Sequence, residues 1–488
     1  IKININPEIS ILMSTSGSTG DSKFVALSKQ NILFNTKSIL SNILFFLVGT
    51  CIVTLLARGG FQLKPIKPIN AGEISNSQNP SLILNTPFCI LHSIDEKQLT
   101  EYDYFTKEEL DSIFFPIHPK KNINNSKKNI IIFIMESYSK EFVGFYNNGD
   151  GYTPFLDELM QNSLVFTNAY ANGLKSIEAL PAITASIPAL MDNPFITSNY
   201  AQNNFNSIAS ILNEYGYNTS FYHGGIRGTM GFHSFSKKAR FNNYFGMEEY
   251  NNVDDFDKSW GIYDGPFMQF FLNGINQEKE PFLSTFFSLS SHPPYTLPDN
   301  YLKDNKEYSK LKKISILETI RYTDDCLKEF FNKCKNEEWF RNTIFIITAD
   351  HTSPENYNKK YKTKIGRYTI PLIIFSGDSS LQGLNTNIVQ HIDIMPTILD
   401  LIGNEKPFFA FGKSMFSKES WAINFLEGRY NLITDSSIIM NKEEVYQSFS
   451  YQNIFEENNL DTNKLKLLKA IKQDYNNRMI NNKLSNEN

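Results

Sequence analysis

The chain has 488 residues, with 47 Lys and Arg against 51 Asp and Glu and a net charge of −4. That balance excludes a basic nucleic-acid-binding surface, and 40 Phe with 24 Tyr supply a sizeable core. The length allows roughly two to four domains, or one large α/β domain with appendages. The four cysteines show no metal or redox spacing, and Cys326 and Cys334 stand two helical turns apart in a helical pattern, so they read as packing residues.

In chain order, the first feature is "STSGSTGDSKFVALSKQNI", residues 14 to 32. Small and hydroxylated residues there would let backbone N–H groups surround phosphate oxygens, with Lys23 adding charge. This stretch resembles the phosphate loop of adenylate-forming, AMP-binding enzymes, but departs from that pattern at Ser22, Phe24 and Lys29. Residues 1–38 therefore read as a non-functional fragment of such an enzyme joined to an unrelated protein. They are expected to bind no ATP.

Residues 39–57, "ILSNILFFLVGTCIVTLLA", contain no charge. As a helix they would extend about 28 Å, enough for a bilayer core. Lys29 and Lys37 precede the segment, and Arg58, Lys64 and Lys67 follow it. Basic residues on both sides leave its orientation open.

Residues 58–125 read as a juxtamembrane connector, rich in proline and closed by the charged "KKNINNSKKN". Order sharpens after it. "NIIIFIMES" and "NTIFIITADHTS" are apolar, β-branched runs ending in carboxylates, the pattern of buried parallel strands meeting a site. Helical patterns alternate with strand-like runs between them, which predicts a mostly parallel sheet covered on both faces. Ligands gather beyond the carboxyl ends of such strands, where Glu136, His223, His292, Asp350 and His351 fall. Residues 405–488 form an Asn- and Lys-rich extension with a helical pattern in "NKLKLLKAIKQDYNNRMI", expected to pack on the domain edge.

Glu136, Asp350 and His351 offer two oxygens and a nitrogen, a set suited to Mn²⁺, Mg²⁺ or Zn²⁺. "ANGLKSIEALPAITAS" places Ser176 after a glycine turn at the start of a helical pattern. Alone, Ser176 reads as an N-cap. With a cation and the helix dipole nearby it reads as a nucleophile for phosphoryl or sulfuryl transfer. His391 reads as structural unless a second metal binds.

Taken in order, "RGGFQLKPI", "FIMESYS", "TPFLDEL", "GLKSIEALPAITASIP", "WGIYDGPF", "SSHPPY", "TADHT" and "HIDIMPTILDLIG" resemble the lipoteichoic acid synthase and phosphoglycerol transferase family. These are sulfatase-like enzymes of the alkaline phosphatase superfamily. The resemblance covers about residues 39–404 and implies an α/β/α sandwich with a mostly parallel central sheet, the catalytic domain over 126–404, preceded by one transmembrane helix. It implies that Glu136, Ser176, Asp350 and His351 hold one divalent metal, with Mn²⁺ first and Mg²⁺ or Zn²⁺ as alternatives, and that Ser176 and His292 are catalytic. Lys175, Trp260, His223 and Arg227 are the implied substrate contacts. Ser176 stands where the Gram-positive enzymes carry threonine. It is followed by Ile177, Glu178, Ala179 and Leu180, so the C/S-x-P-x-R pattern matured to formylglycine in true sulfatases is absent.

The implied reaction transfers a phospholipid head group through a phospho-serine. Phosphatidylglycerol is the expected donor and a glycan or glycolipid the acceptor, with the catalytic domain outside the cytoplasm on the inner membrane and no nucleic acid involved. A phosphodiesterase or phosphatase, a phosphoethanolamine transferase, and an inactive chimeric relic are the alternatives.

Overall fold

A computed structural model describes residues 7–16, 22–61, 65–74, 83–94, 96–119, 127–451 and 456–486. The glycine-containing part of the N-terminal loop (17–21) lies outside the described residues, as do 62–64 of "RGGFQLKPI" and most of "KKNINNSKKN". The chain divides into two compact units, Ile1–Ile66 and Lys67–Asn488.

The first unit holds an antiparallel hairpin of β1 (Ile9–Ser16) and β2 (Ser22–Ser28), followed by helix α1 (Lys29–Arg58). Ser28 caps α1 by accepting the Asn31 N–H, and Gly59 closes it with a left-handed φ of 91°. α1 is long and apolar enough to cross a bilayer, and none of its residues is buried. Phe45 and Phe46 are 83% and 71% exposed, a surface that water disfavours.

The second unit opens with short helices α2 (Ala71–Ile74), α3 (Thr86–Ser93) and α4 (Lys107–Ile113) and the short strand β3 (Ile117–His118). Backbone N–H groups of Tyr102, Tyr104 and Phe105 bond to Asn477 and Gln473 near the C-terminus, tying this region to the main body.

The main body alternates strand and helix. β4 (Asn129–Met135), α5 (Pro154–Met160), β5 (Leu164–Tyr170), α6 (Ser176–Ala185) and α7 (Ile208–Asn213) come first. β6 (Asn218–His223), α8 (Phe232–Lys238), β7 (Asn243–Phe245), α9 (Met247–Tyr250) and α10 (Asp264–Ile275) follow. Then come β8 (Phe282–Phe287), α11 (Asp299–Asp304), α12 (Ile316–Cys334), β9 (Thr343–Ala349), β10 (Leu372–Ser376), β11 (Gly383–Gln390) and α13 (Ile394–Ile402).

These strands form an eight-stranded sheet in the order β11-β5-β10-β9-β4-β8-β6-β7. Only β10 runs against the others. Every residue of β4, β8 and β9 is buried, which is why those segments read as unbroken apolar runs instead of alternating ones. Cys326 and Cys334 are free and buried on α12.

The C-terminal region is richer than its sequence pattern indicates. After β12 (Phe408–Phe409), four strands β13 (Trp421–Leu426), β14 (Arg429–Thr434), β15 (Ser437–Lys442) and β16 (Val445–Ser450) form an antiparallel meander. Helix α14 (Thr462–Ile480) closes the chain. Two of the meander's turns rest on left-handed residues, Glu427–Gly428 and Glu443–Glu444, and the second pair carries no glycine to announce it.

Phe133 sits at the centre of β4, 0% exposed, with the rings of Phe271, Phe286 and Phe330 within 5.8 Å. Phe133→Ala should cost about 3–5 kcal/mol, seen as a lowered denaturation midpoint. A shift below about 1 kcal/mol would mean the site collapses freely.

Candidate active site

The parallel sheet brings distant residues together. Glu136 follows the last residue of β4 and Asp350 the last residue of β9, its immediate neighbour, so both carboxylates emerge at the same edge. Both are buried, at 3% and 0% exposure. Their ligand atoms and those of His351 all lie within 4.8 Å of one another.

Ser176 enters from α6. Lys175 holds the N-cap position without a side-chain bond, and Ser176 is the first helical residue. Its hydroxyl is therefore free of capping duty. Oγ donates to Glu136 Oε2 at 3.1 Å and lies 3.3 Å from His351 Nε2. The helix N-terminus favours negative charge there.

A ring of hydrogen bonds sets the orientation of each group. Ser137 donates its backbone N–H to Asp350 Oδ1 at 2.8 Å and its hydroxyl to Glu136 Oε1 at 2.8 Å. It does so from a left-handed φ of 57°, a conformation a non-glycine residue adopts only when its surroundings demand it. Glu136 N–H is held by Ser288 Oγ and His351 N–H by Asp350 Oδ1. His351 Nδ1 faces the Thr352 carbonyl at 2.8 Å, so Nδ1 carries a proton and the ring turns Nε2 inward to the cluster.

Burial opposes ionisation of Glu136, but the charges of His351 and His292 outweigh it and hold its carboxyl below the usual range. Burial and the neighbouring Glu136 charge push Asp350 up. For His351, burial works against the imidazolium, yet Asp350 and Glu136 prevail and raise its pKa. Asp350 Oδ2 is buried and makes no hydrogen bond, although His351 Nε2 lies 3.2 Å away. An orphaned carboxylate oxygen beside a second carboxylate and an inward imidazole nitrogen fits a divalent cation of the oxygen- and nitrogen-preferring kind.

The cluster opens into a cavity of about 340 Å³ lined by Glu136, Ser137, His292, His351, Asn356 and Arg367 among others. His292 reaches it on a loop fixed by Asp264, whose carboxylate accepts the N–H groups of Leu289 and Ser290 and the Thr323 hydroxyl. Trp260 packs its ring 4.2 Å from His292 and donates Nε1–H to the Pro293 carbonyl. Asp257 holds the Trp260 turn through the N–H groups of Ser259, Trp260 and Gly261.

His223, at the end of β6, is buried and does not line the cavity. Burial pushes its pKa down to about 4, its Nδ1 faces the Phe287 carbonyl, and Nε2 has no partner. Lys175 points to solvent and sits 3.8 Å from Glu178. Arg227 pairs with Glu249 of α9. Neither lines the cavity. His391 contacts the Ala349 carbonyl through Nε2 in a buried setting outside the cluster. Three residues escaped the sequence reading: Ser137, Asn356 and Arg367. Only Ser137, adjacent to Glu136, carried any signal.

Residues 128–404 match the sulfatase family. The chain belongs to that family. Among curated sulfatase-family relatives, lipoteichoic acid synthase 1 of Bacillus subtilis is 26% identical over 312 residues, 60% of this chain and 48% of that protein. Lipoteichoic acid synthase of Staphylococcus aureus is 27% identical over 320 residues, with the same two coverages. The chain thus spans about half the length of these relatives. Among solved structures, an alkaline phosphatase superfamily protein from Vibrio parahaemolyticus aligns with a TM-score of 0.68 and 24% identity, over 81% of this chain and 96% of that one. The lipoteichoic acid synthase LtaP from Listeria monocytogenes aligns with a TM-score of 0.64 and 19% identity, over 77% and 98%. The fold is that of the alkaline phosphatase superfamily.

Removing the hydroxyl that orients Glu136 should loosen the cluster without removing a donor atom. Ser137→Ala is expected to weaken Mn²⁺ binding by about 10–100-fold, measured by calorimetric titration. Unchanged affinity would show that Glu136 needs no such support.

Proposed function

We propose that this sulfatase-family chain is a metal-dependent phosphoglycerol transferase that moves a phospholipid head group through a covalent phospho-serine on Ser176. The observation that carries this reading is the placement of Ser176 Oγ at a helix N-terminus, within hydrogen-bonding reach of Glu136 and His351. The lipoteichoic acid synthase relatives support the phosphoglycerol class over sulfate ester hydrolysis, as does the absence of C/S-x-P-x-R at Ser176.

Glu136, Ser176, Asp350 and His351 would hold the cation, with Mn²⁺ the first choice. When bound, it supplies charge neutralisation for the serine oxygen and the phosphate. The chain's own groups do the rest. Ser176 Oγ attacks phosphorus as its proton leaves along its hydrogen bond to Glu136 Oε2, and the phosphorus–oxygen bond to diacylglycerol breaks. His292, which lines the same cavity, gives the departing oxygen its proton. In the second step His292 takes the proton of an acceptor hydroxyl, which attacks the phosphoserine. The phosphoglycerol moves to the acceptor and Ser176 is restored.

Phosphatidylglycerol is the proposed donor and a glycan or glycolipid the acceptor. Helix α1 would anchor the chain in the inner membrane, with the catalytic unit outside the cytoplasm. Of the four implied substrate contacts, Trp260 is the one proposed, through its packing on His292; Lys175, His223 and Arg227 do not line the cavity.

The experiment is diacylglycerol release from fluorescent phosphatidylglycerol by the full chain with Mn²⁺, with and without a glycolipid acceptor. Ser176→Ala should lower turnover by several orders of magnitude, because attack and cation binding fail together, while Ser176→Thr keeps measurable activity. Full activity in Ser176→Ala would leave water as the attacker.

The two histidines should separate cleanly. His351→Ala should lower cation affinity and recover partly in excess Mn²⁺. His292→Ala should keep its metal content and lose about 10²–10⁴ in turnover. Rescue of His292→Ala by Mn²⁺ would reassign it as a ligand.

A further inference from the structure

Arg367 lines the cavity wall together with Asn356, yet nothing in the proposed reaction uses it. Among the described residues, its guanidinium has neither a hydrogen bond nor an ion pair. Arg367 is exposed to solvent, and its five donors suit carboxylates and phosphates. The nearby acids are engaged elsewhere. Glu141 accepts the N–H groups of Tyr357 and Asn358, and Glu355 accepts the Tyr357 hydroxyl.

The backbone beneath Arg367 is held at both ends. Thr352, next to His351, donates its hydroxyl to the Arg367 carbonyl. Tyr368 accepts the Ala171 N–H at 2.8 Å, on the segment leading to Ser176, and Arg367 N–H bonds the Thr363 carbonyl at 3.2 Å. Gly366 admits no side chain, since a Cβ would lie 2.1 Å from the Lys360 carbonyl oxygen. The arginine is thus carried on a fixed loop referenced to both His351 and the Ser176 segment. The same loop bears Lys359, Lys360, Lys362 and Lys364, all exposed and none in an ion pair among the described residues, so the loop that carries Arg367 is basic although the whole chain is negative.

We infer that Arg367 is a specificity-determining anion subsite of this cavity. It grips a non-bridging oxygen of a phosphodiester and favours head groups that are uncharged or anionic over those carrying an ammonium. Resting on the transferase reading above, the inference narrows its donor class. A zwitterionic donor would bring its ammonium toward the Arg367 guanidinium and the lysines of its loop, which repel it, whereas a phosphoglycerol head group adds no cation there.

The test uses the full chain in detergent, as wild type, Arg367→Ala and Arg367→Lys. sn-Glycerol 1-phosphate binding is measured by calorimetry, and head-group release is measured from vesicles of phosphatidylglycerol or phosphatidylethanolamine. Arg367→Ala should weaken glycerol phosphate binding by about 10–100-fold and raise KM for phosphatidylglycerol more than it lowers kcat. It should also erase the preference over phosphatidylethanolamine, with metal content unchanged. Arg367→Lys should recover part of the affinity as a point charge. If both variants bind glycerol phosphate as the wild type does and keep its lipid preference, the subsite is wrong. If the wild type releases no head group yet binds glycerol phosphate through Arg367, the subsite stands and the transferase reading falls. Absence of any binding by the wild type overturns both.

Discussion

Two carboxylates buried side by side at the carboxyl ends of adjacent parallel strands are the constraint on which this site depends. Glu136 and Asp350 are held there by the β4–β9 pairing, and burying both charges together is costly without compensation. The chain spends much of its local structure on that problem. Ser137 takes a left-handed conformation to bond both acids, His351 turns Nε2 inward, and α6 points its N-terminus at Glu136 through Ser176. Asp350 Oδ2 still lacks a partner. The remaining deficit is one a divalent cation fills, and the same arrangement places a serine hydroxyl where it would attack.

Around this centre, further buried acids act as loop anchors. Asp264 gathers two N–H groups and a hydroxyl to fix the His292 loop, at a carboxyl that burial pushes up to about 6. Asp257 gathers three N–H groups to fix the Trp260 turn. His292, which lines the cavity, then meets the Trp260 ring, although 32 positions separate them in sequence. The loops that touch substrate in this account are therefore rigid, and the cavity is preorganised.

Much of this was legible in the sequence, for a physical reason. Strands buried on both faces must be apolar throughout, so "NIIIFIM" and "TIFIITA" announce themselves, and the acid ending each run marks the strand end. Side-chain direction was less legible. Lys175 and Arg227 stand close to site residues along the chain, but their charges turn to Glu178 and Glu249. Arg367 sits in a lysine-rich run that carries no site motif, and only tertiary folding brings it to the cavity. The C-terminal meander stayed hidden because its Glu443–Glu444 turn uses left-handed residues without glycine, and the reversed direction of β10 leaves no mark on composition.

The central claim is a covalent bond to one serine. Mixing the full chain with phosphatidylglycerol and Mn²⁺ in the absence of acceptor, quenching in acid, and mapping peptides by mass spectrometry tests it directly. The account predicts one phosphoglycerol on the peptide containing Ser176, discharged when acceptor is added before the quench. Diacylglycerol release with no adduct on that peptide, or an adduct on another residue, would contradict it.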